Sequence, residues 1–248
     1  MMNLGLIGKS LSHSFSKSYL EEKFIKENKS DFLYTNFDLE NLDTFPELVL
    51  KHHLSGLNVT KPYKESVIPF LNELDVTAKE IGAVNCIKIS WENDTPYLKG
   101  YNTDYYGFAQ SIKPFLEPIH QKALILGTGG ASKAIAYALK NVGVDFYYVT
   151  SGEKKAANYF HYSELNEYVL NAFKLIVNCT PLGMYPKTEV CPDIPFQYLT
   201  AEHLLYDLIY NPEETLFLQK GKAQGAVTIN GLNMLKLQAD KAWEIWHS

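Results

Sequence analysis

Arginine is missing altogether: all 23 basic side chains among the 248 residues are lysines. Without a guanidinium fork no carboxylate or phosphate can be gripped in a planar, two-point fashion, so anions must be held by lysine, hydroxyls, amides and backbone N–H groups. Cysteine is scarce too. Cys86, Cys179 and Cys191 are odd in number and share no CxxC spacing, which argues against a disulfide framework and a zinc site; no metal is expected, and buried reduced thiols fit better. No window approaches the roughly 18 apolar residues of a membrane span, and residues 1–8 read as a short strand running into glycine rather than a signal peptide. The net charge of −5 is spread without a block of one sign, so there is no basic surface for nucleic acid. The chain is expected to be cytoplasmic, with a small-molecule substrate, no nucleic acid and no membrane; monomer and homodimer both stay open.

What is present is patterned. A hydrophobic content of 46% can fill one large α/β domain or two moderate ones. Strand-type runs at 4–7, 32–37, 56–59 and 83–89 alternate with helical patterns at 18–27 and 42–51, which predicts an α/β unit on a mostly parallel sheet. After Lys113-Pro114 and Glu117-Pro118 a second series begins: strand 123–126, helix 131–142, strands 146–149, 175–178 and 204–208, helix 215–224 and strand 226–229. That succession is Rossmann-type. Helix 103–112 bridges the two series, and a last helical pattern at 232–246 follows the final strand. The expected fold is α/β with two domains, an N-terminal substrate-binding and catalytic domain over 1–102 plus 231–248 and a Rossmann dinucleotide-binding domain over 103–230.

Gly127-Thr128-Gly129-Gly130-Ala131-Ser132 lies between a strand and a helix start, the context a dinucleotide fingerprint requires. Gly127 permits the tight turn and Gly129 lets backbone approach a pyrophosphate. The helix start at Gly130 and Ala131 supplies free N–H groups and a partial positive charge. Ser132 replaces the usual third Gly or Ala, and an ordinary glycine-rich turn is the plainer alternative. At the tip of the next strand stands Thr150-Ser151-Gly152-Glu153-Lys154-Lys155, with no acid at the tip itself to bind ribose hydroxyls. Thr150 and Ser151 suit a 2′-phosphate, and Lys154 or Lys155 would neutralise it, which tilts the cofactor toward NADP(H). Glu153 pulls the other way, and NAD(H) stays open.

Two further runs, Asn58-Val59-Thr60-Lys61-Pro62-Tyr63-Lys64 and Gly100-Tyr101-Asn102-Thr103-Asp104, each end in one ionisable residue after turn-forming polar residues. When hydride reaches a ketone carbon, negative charge grows on its oxygen, and a nearby ammonium stabilises it and delivers a proton. Lys64 suits that role, and Asp104 can fix the amine. Taken singly, each also reads as an exposed loop lysine or a helix-capping aspartate. The hydroxyl-rich stretch 10–18 after the first strand suits either a small anion or a ligand-free helix cap. Proton relay plus dinucleotide loop suggests a dehydrogenase.

These runs, together with His13-Ser14-Phe15-Ser16, Gly82-Ala83-Val84-Asn85, Asn178-Cys179-Thr180-Pro181-Leu182-Gly183-Met184 and Asn230-Gly231-Leu232-Asn233-Met234-Leu235-Lys236-Leu237-Gln238-Ala239, resemble the shikimate dehydrogenase family in order along almost the whole chain. The resemblance implies NADPH-dependent reduction of 3-dehydroshikimate to shikimate, with Lys64 and Asp104 as the catalytic pair. It also implies Ser14 and Ser16 on the substrate carboxylate with Tyr210 nearby, and Asn58, Thr60, Asn85 and Gln238 on the ring hydroxyls. For the cofactor it implies Asn178, Thr180 and Pro181 on the loop alongside, and Gly231 and Met234 near the nicotinamide. The chain departs from the family in carrying Thr150-Ser151-Gly152 where Asn-Arg-Thr is common, and Cys86 where Thr is usual. The departures keep two rivals in play: an NAD-preferring quinate/shikimate dehydrogenase, and a non-catalytic ligand sensor on the same fold.

Overall fold

The computed structural model describes residues 2–9, 11, 15–26, 31–153 and 156–248, with the side chains of residues 15, 16, 24 and 26 left out. The chain divides into two compact units, Met1–Tyr106 with Gln238–Ser248, and Gly107–Leu237.

The first unit is built on a sheet of β1 (Met2–Gly8), β2 (Phe32–Asp38), β3 (Gly56–Val59), β4 (Glu73–Leu74), β5 (Cys86–Glu92) and β6 (Thr95–Tyr101), in the order β2-β1-β3-β5-β6-β4. The β2-β1-β3 half is parallel, as alternating strands and helices predict. Across β3-β5-β6 the pairing turns antiparallel. Between β5 and β6 the cause is a two-residue hairpin at Asn93 (φ 48°) and Asp94 (φ 61°), both in the left-handed region that a type I′ turn needs and that Asn and Asp tolerate. The sequence reading passed over β6. It also began the preceding strand at residue 83, whereas α4 (Val76–Ile81) closes on Gly82 (φ 70°) and residues 83–85 lie outside any strand ahead of β5. That correction matters, because it takes Asn85 out of the strand.

One face of this sheet is covered by Phe45 and Val49 of α2 (Phe45–His52), packed on Ile7, Leu57, Val59 and Ile87. Helix α2 ends on His53, which caps it in the left-handed conformation and stacks on Trp91 at 4.0 Å. On the opposite face Leu20 of α1 (Phe15–Lys26) and Ala239, Ala242 and Trp246 of α9 (Leu232–His247) meet Leu4, Leu6, Tyr34 and Cys86. Gly56 is required there, since a Cβ would stand 2.4 Å from the Trp246 ring.

The second unit contains β7 (Lys122–Leu126), β8 (Asp145–Thr150), β9 (Tyr159–His161), β10 (Leu175–Asn178), β11 (Leu204–Asp207) and β12 (Val227–Ile229), in the order β12-β11-β10-β7-β8-β9. All of its pairings are parallel. Buried apolar runs such as 123–126 and 175–177 are what a sheet covered on both sides demands. Strand order reverses between β7 and β10, the place where open α/β sheets bind ligands at their C-terminal edge. Helices α6 (Gly130–Asn141), α7 (Glu167–Ala172) and α8 (Leu216–Ala223) connect the strands. Both β9 and α7 are short and escaped the sequence reading. No helix among the described residues is long and apolar enough to cross a membrane.

Candidate active site

Strand β3 is wholly buried and carries Asn58; just beyond it the chain turns at Thr60, whose N–H donates to Ile7 O at 2.9 Å, into α3 (Tyr63–Ser66). Tyr63 anchors that turn by donating to Leu39 O at 2.5 Å, which leaves Lys64 in the first turn of the helix. Helix α5 (Asp104–Ile112) starts beside it. Asn102 caps α5, its Oδ1 accepting from the N–H groups of Asp104 (3.1 Å) and Tyr105 (3.4 Å), while its Nδ2 donates to Ala83 O at 2.9 Å. The N–H of Val84 donates to Lys64 O at 2.7 Å. Three chain segments are thus tied together by one backbone hydrogen bond and the Asn102 side chain before any candidate catalytic side chain is considered.

Onto that frame Lys64 donates from Nζ to Asp104 Oδ2 at 2.6 Å, with the two side chains 18% and 9% exposed. The other carboxylate oxygen accepts from Asn85 Nδ2 at 2.9 Å. The Asn85 amide cannot turn over, because its Oδ1 receives the Thr103 N–H at 2.6 Å. Gln238, at the unit's returning segment of α9, brings Oε1 to 3.3 Å from Asn85 Nδ2 and 3.2 Å from Thr103 Oγ1. Asn58 accepts at Oδ1 from the Tyr34 hydroxyl at 2.8 Å and reaches Asn85 O with Nδ2 at 3.4 Å. Burial pushes the Tyr34 phenol well above its ordinary range, so it remains a donor. The Cys86 thiol beneath is likewise pushed up by burial and stays neutral.

The structure therefore gathers Lys64, Asp104, Asn85, Asn58 and Gln238 into one polar cluster in the first unit, with Thr60 two residues from Asn58 along the chain. Ser14 lies outside the described residues, and Ser16 is described only as backbone in α1. Tyr210 belongs to the second unit. Thr103 and Tyr34 were not singled out from the sequence. Thr103 sits inside the 100–104 motif, whereas nothing local marks Tyr34, an apolar-looking position on β2. A mostly buried ammonium with a paired carboxylate and surrounding amides can bind hydroxyls and exchange a proton with one of them.

The second unit holds the glycine turn. Gly127 has φ +99° and donates to Val149 O at 2.9 Å; a Cβ on it would stand 3.0 Å from Thr180 Cγ2. Gly129 precedes α6 in extended backbone, and no heavy atom lies within 4 Å of where its Cβ would be. Open space at the start of a helix, whose first N–H groups have no acceptor within the helix, fits a pyrophosphate. Ser132 is buried and donates to Gly129 O at 2.6 Å, which explains how a serine is accommodated at the third fingerprint position. Thr150 ends β8 and accepts from Gly152 N–H at 3.0 Å, with Ser151 exposed beside it. Lys154 lies outside the described residues.

Asn178 ends β10 completely buried: Nδ2 donates to Asp207 Oδ1 at 3.0 Å, and Oδ1 accepts from Thr180 N–H (2.9 Å) and its hydroxyl (2.7 Å). Its side chain shapes the loop that presents Thr180 and the exposed Pro181. Gly231 donates to Ile209 O at 3.0 Å, and Met234 lies buried one turn along α9. Asp207, which the sequence reading did not name, is fully buried, and burial pushes its carboxyl up to about 6 against the pull of its hydrogen bonds.

Comparison with known proteins places this geometry in context. The family profile described as the shikimate dehydrogenase substrate binding domain matches residues 6–87. A shikimate dehydrogenase (NADP(+)) from Methanosphaera stadtmanae is 37% identical over 259 residues, covering 98% of this chain and 90% of the relative. The crystal structure of shikimate dehydrogenase 1 from Peptoclostridium difficile is 38% identical with a TM-score of 0.84, covering 100% of this chain and 92% of the other. Shikimate 5-dehydrogenase from Thermus thermophilus, solved in complex with NADP(H) and shikimate, is 27% identical with a TM-score of 0.86, covering 99% and 93%.

Proposed function

The chain belongs to the shikimate dehydrogenase family, and from that premise we propose that its first unit holds the substrate around Lys64 and Asp104 while its second unit holds the dinucleotide. It is an NADP-dependent oxidoreductase acting on a CH–OH group, interconverting 3-dehydroshikimate and shikimate in the route to aromatic amino acids. NADPH, when bound, supplies the hydride.

Lys64 Nζ hydrogen-bonds the carbonyl oxygen that gains charge and passes it the proton; in the oxidative direction it takes the hydroxyl proton back. Asp104 keeps the ammonium on station from 2.6 Å and, with Oδ1 already facing Asn85, accepts from a neighbouring ring hydroxyl. Asn58, whose oxygen is occupied by Tyr34, presents N–H to the ring, and Asn85, Gln238 and Thr60 complete its polar surround. Ser14 and Ser16 take the carboxylate through hydroxyls, in keeping with a chain that has no arginine. Gly127, Gly129, Gly130 and Ala131 receive the pyrophosphate, Thr150, Ser151 and Lys154 the 2′-phosphate, Thr180 and Pro181 lie on the loop along the cofactor with Asn178 shaping it from beneath, and Gly231 and Met234 flank the nicotinamide.

The observation that carries this reading is the Lys64–Asp104 contact inside a cluster of amides. Initial rates of shikimate oxidation test it, comparing NADP with NAD, shikimate with quinate, and wild type with Lys64→Ala. NADP with shikimate should be the fastest pair, and Lys64→Ala should cut kcat by about 10² to 10⁴ with the fold intact. A variant that kept near-normal turnover would remove Lys64 from the mechanism. A cytoplasmic location and a monomeric or homodimeric state belong to the same proposal and are read by cell fractionation and size-exclusion chromatography.

A further inference from the structure

Asp207 stands at the C-terminal tip of β11 with no exposed surface, and no step above uses it. A carboxylate there is costly unless donors surround it, and three do: Asn178 Nδ2 at 3.0 Å, Ile209 N–H at 3.0 Å and the Thr215 hydroxyl at 2.6 Å. Each donor leads to a different segment. Through Asn178 the carboxylate reaches Thr180, whose methyl group lies against Gly127 of the glycine turn. Through Ile209 it reaches Gly231: the Ile209 carbonyl accepts from Gly231 N–H, and the approach is so close that a Cβ on Gly231 would lie 2.1 Å from Leu208 O. Through Thr215, which caps α8, it reaches Gly183, whose Cβ would stand 3.6 Å from Thr215 Cβ.

We propose that Asp207 is the positioning residue of the dinucleotide site: it sets the 179–181 loop and the Gly231 turn against the glycine turn, and itself touches no part of the cofactor. The inference rests on the assignment of those segments to the cofactor. A carboxylate, with two acceptor oxygens and no donor, receives all three hydrogen bonds at once, Oδ1 those of Asn178 and Ile209 and Oδ2 that of Thr215. Loss of one donor releases one segment by a few tenths of an ångström, and a dinucleotide held by backbone registers such a shift as lost affinity.

The test uses the full chain, with NADPH binding read by fluorescence titration, shikimate binding by calorimetry, and thermal midpoints alongside. Thr215→Val should weaken NADPH about tenfold, the effect of one hydrogen bond to a charged group, while shikimate affinity stays within about twofold; Thr215→Ser should restore NADPH binding. Asn178→Asp sets carboxylate against carboxylate and should weaken NADPH further. Equal weakening of both ligands, or NADPH affinity within about twofold of wild type in Thr215→Val, overturns the proposal. Gly129→Ala separates the premise from the inference, since a dinucleotide bound elsewhere would leave its NADPH affinity untouched. Should Asn178→Asp not fold, the Thr215 pair decides alone.

Discussion

Replacing Asp104 by asparagine removes one charge and almost no volume, and the surroundings determine how badly that is received. The carboxylate serves two donors, Lys64 Nζ at 2.6 Å and Asn85 Nδ2 at 2.9 Å. A carboxamide has one acceptor oxygen, so its NH₂ must face one of the two. Asn85 cannot flip to accommodate it, because Thr103 N–H holds Asn85 Oδ1 at 2.6 Å. The Lys64 ammonium, with its side chain 18% exposed, is then left in a largely dry site without its counter-charge. Breaking a buried pair from one side costs about 3–5 kcal/mol, and the residual exposure of Lys64 points to the lower end. Asp104→Asn should therefore lose about 3 kcal/mol in urea unfolding and about 10² to 10⁴ in kcat for shikimate oxidation. Combining it with Lys64→Met should regain part of the stability and none of the rate, since the stranded charge is gone and so is the proton donor. An unfolding midpoint and a kcat both close to wild type for Asp104→Asn would refute the reasoning outright.

Other expectations are equally concrete. Gly127→Ala and Gly129→Ala should part company: the first forces an L residue to φ +99° against Thr180 and should cost about 1–2 kcal/mol of stability. The second meets open space in extended backbone, so its thermal midpoint should hold while the KM for NADP rises about tenfold or more, as a methyl fills room proposed for phosphate. Tyr34→Phe leaves Asn58 Oδ1 without its donor; the KM for shikimate should rise about fivefold with kcat nearly unchanged, and a fall in kcat alone would assign Tyr34 a different role. For Asp207, a folded-state value of about 6 against an ordinary 3.8 means that the folded chain holds this proton more tightly than the unfolded one. Stability from this group is then greatest at low pH and falls by about 3 kcal/mol as pH rises from about 4 to about 6. Unfolding of wild type and Asp207→Asn across that window should diverge in that direction, and a constant difference would count against it.

Much of this molecule is written in short stretches of sequence. Apolar runs at 56–59 and 175–178 mark strands β3 and β10 to the residue, and the glycine turn announces its helix. The positive φ of Gly82 and Gly127, and the Asn93-Asp94 hairpin that the sequence reading passed over, are local chemistry of the same kind, legible from residue type alone. Lys64 and Asp104 could be named as candidates because each closes a polar motif. Other features have no local sign. Asn85 meets Gln238 across 153 residues only because α9 packs on the sheet through Ala239, Ala242 and Trp246, with Gly56 making room. Tyr34 looks like any strand residue until its hydroxyl is found on Asn58. Asp207 looks like a surface acid at a strand end until burial and three donors from separate segments make it a hub. Backbone preference depends on a residue and its chain neighbours, so sequence alone determined most of the strands and turns and supplied the candidate reactive groups. Which donor faces which acceptor depends on how distant segments pack, and tertiary structure alone decided that.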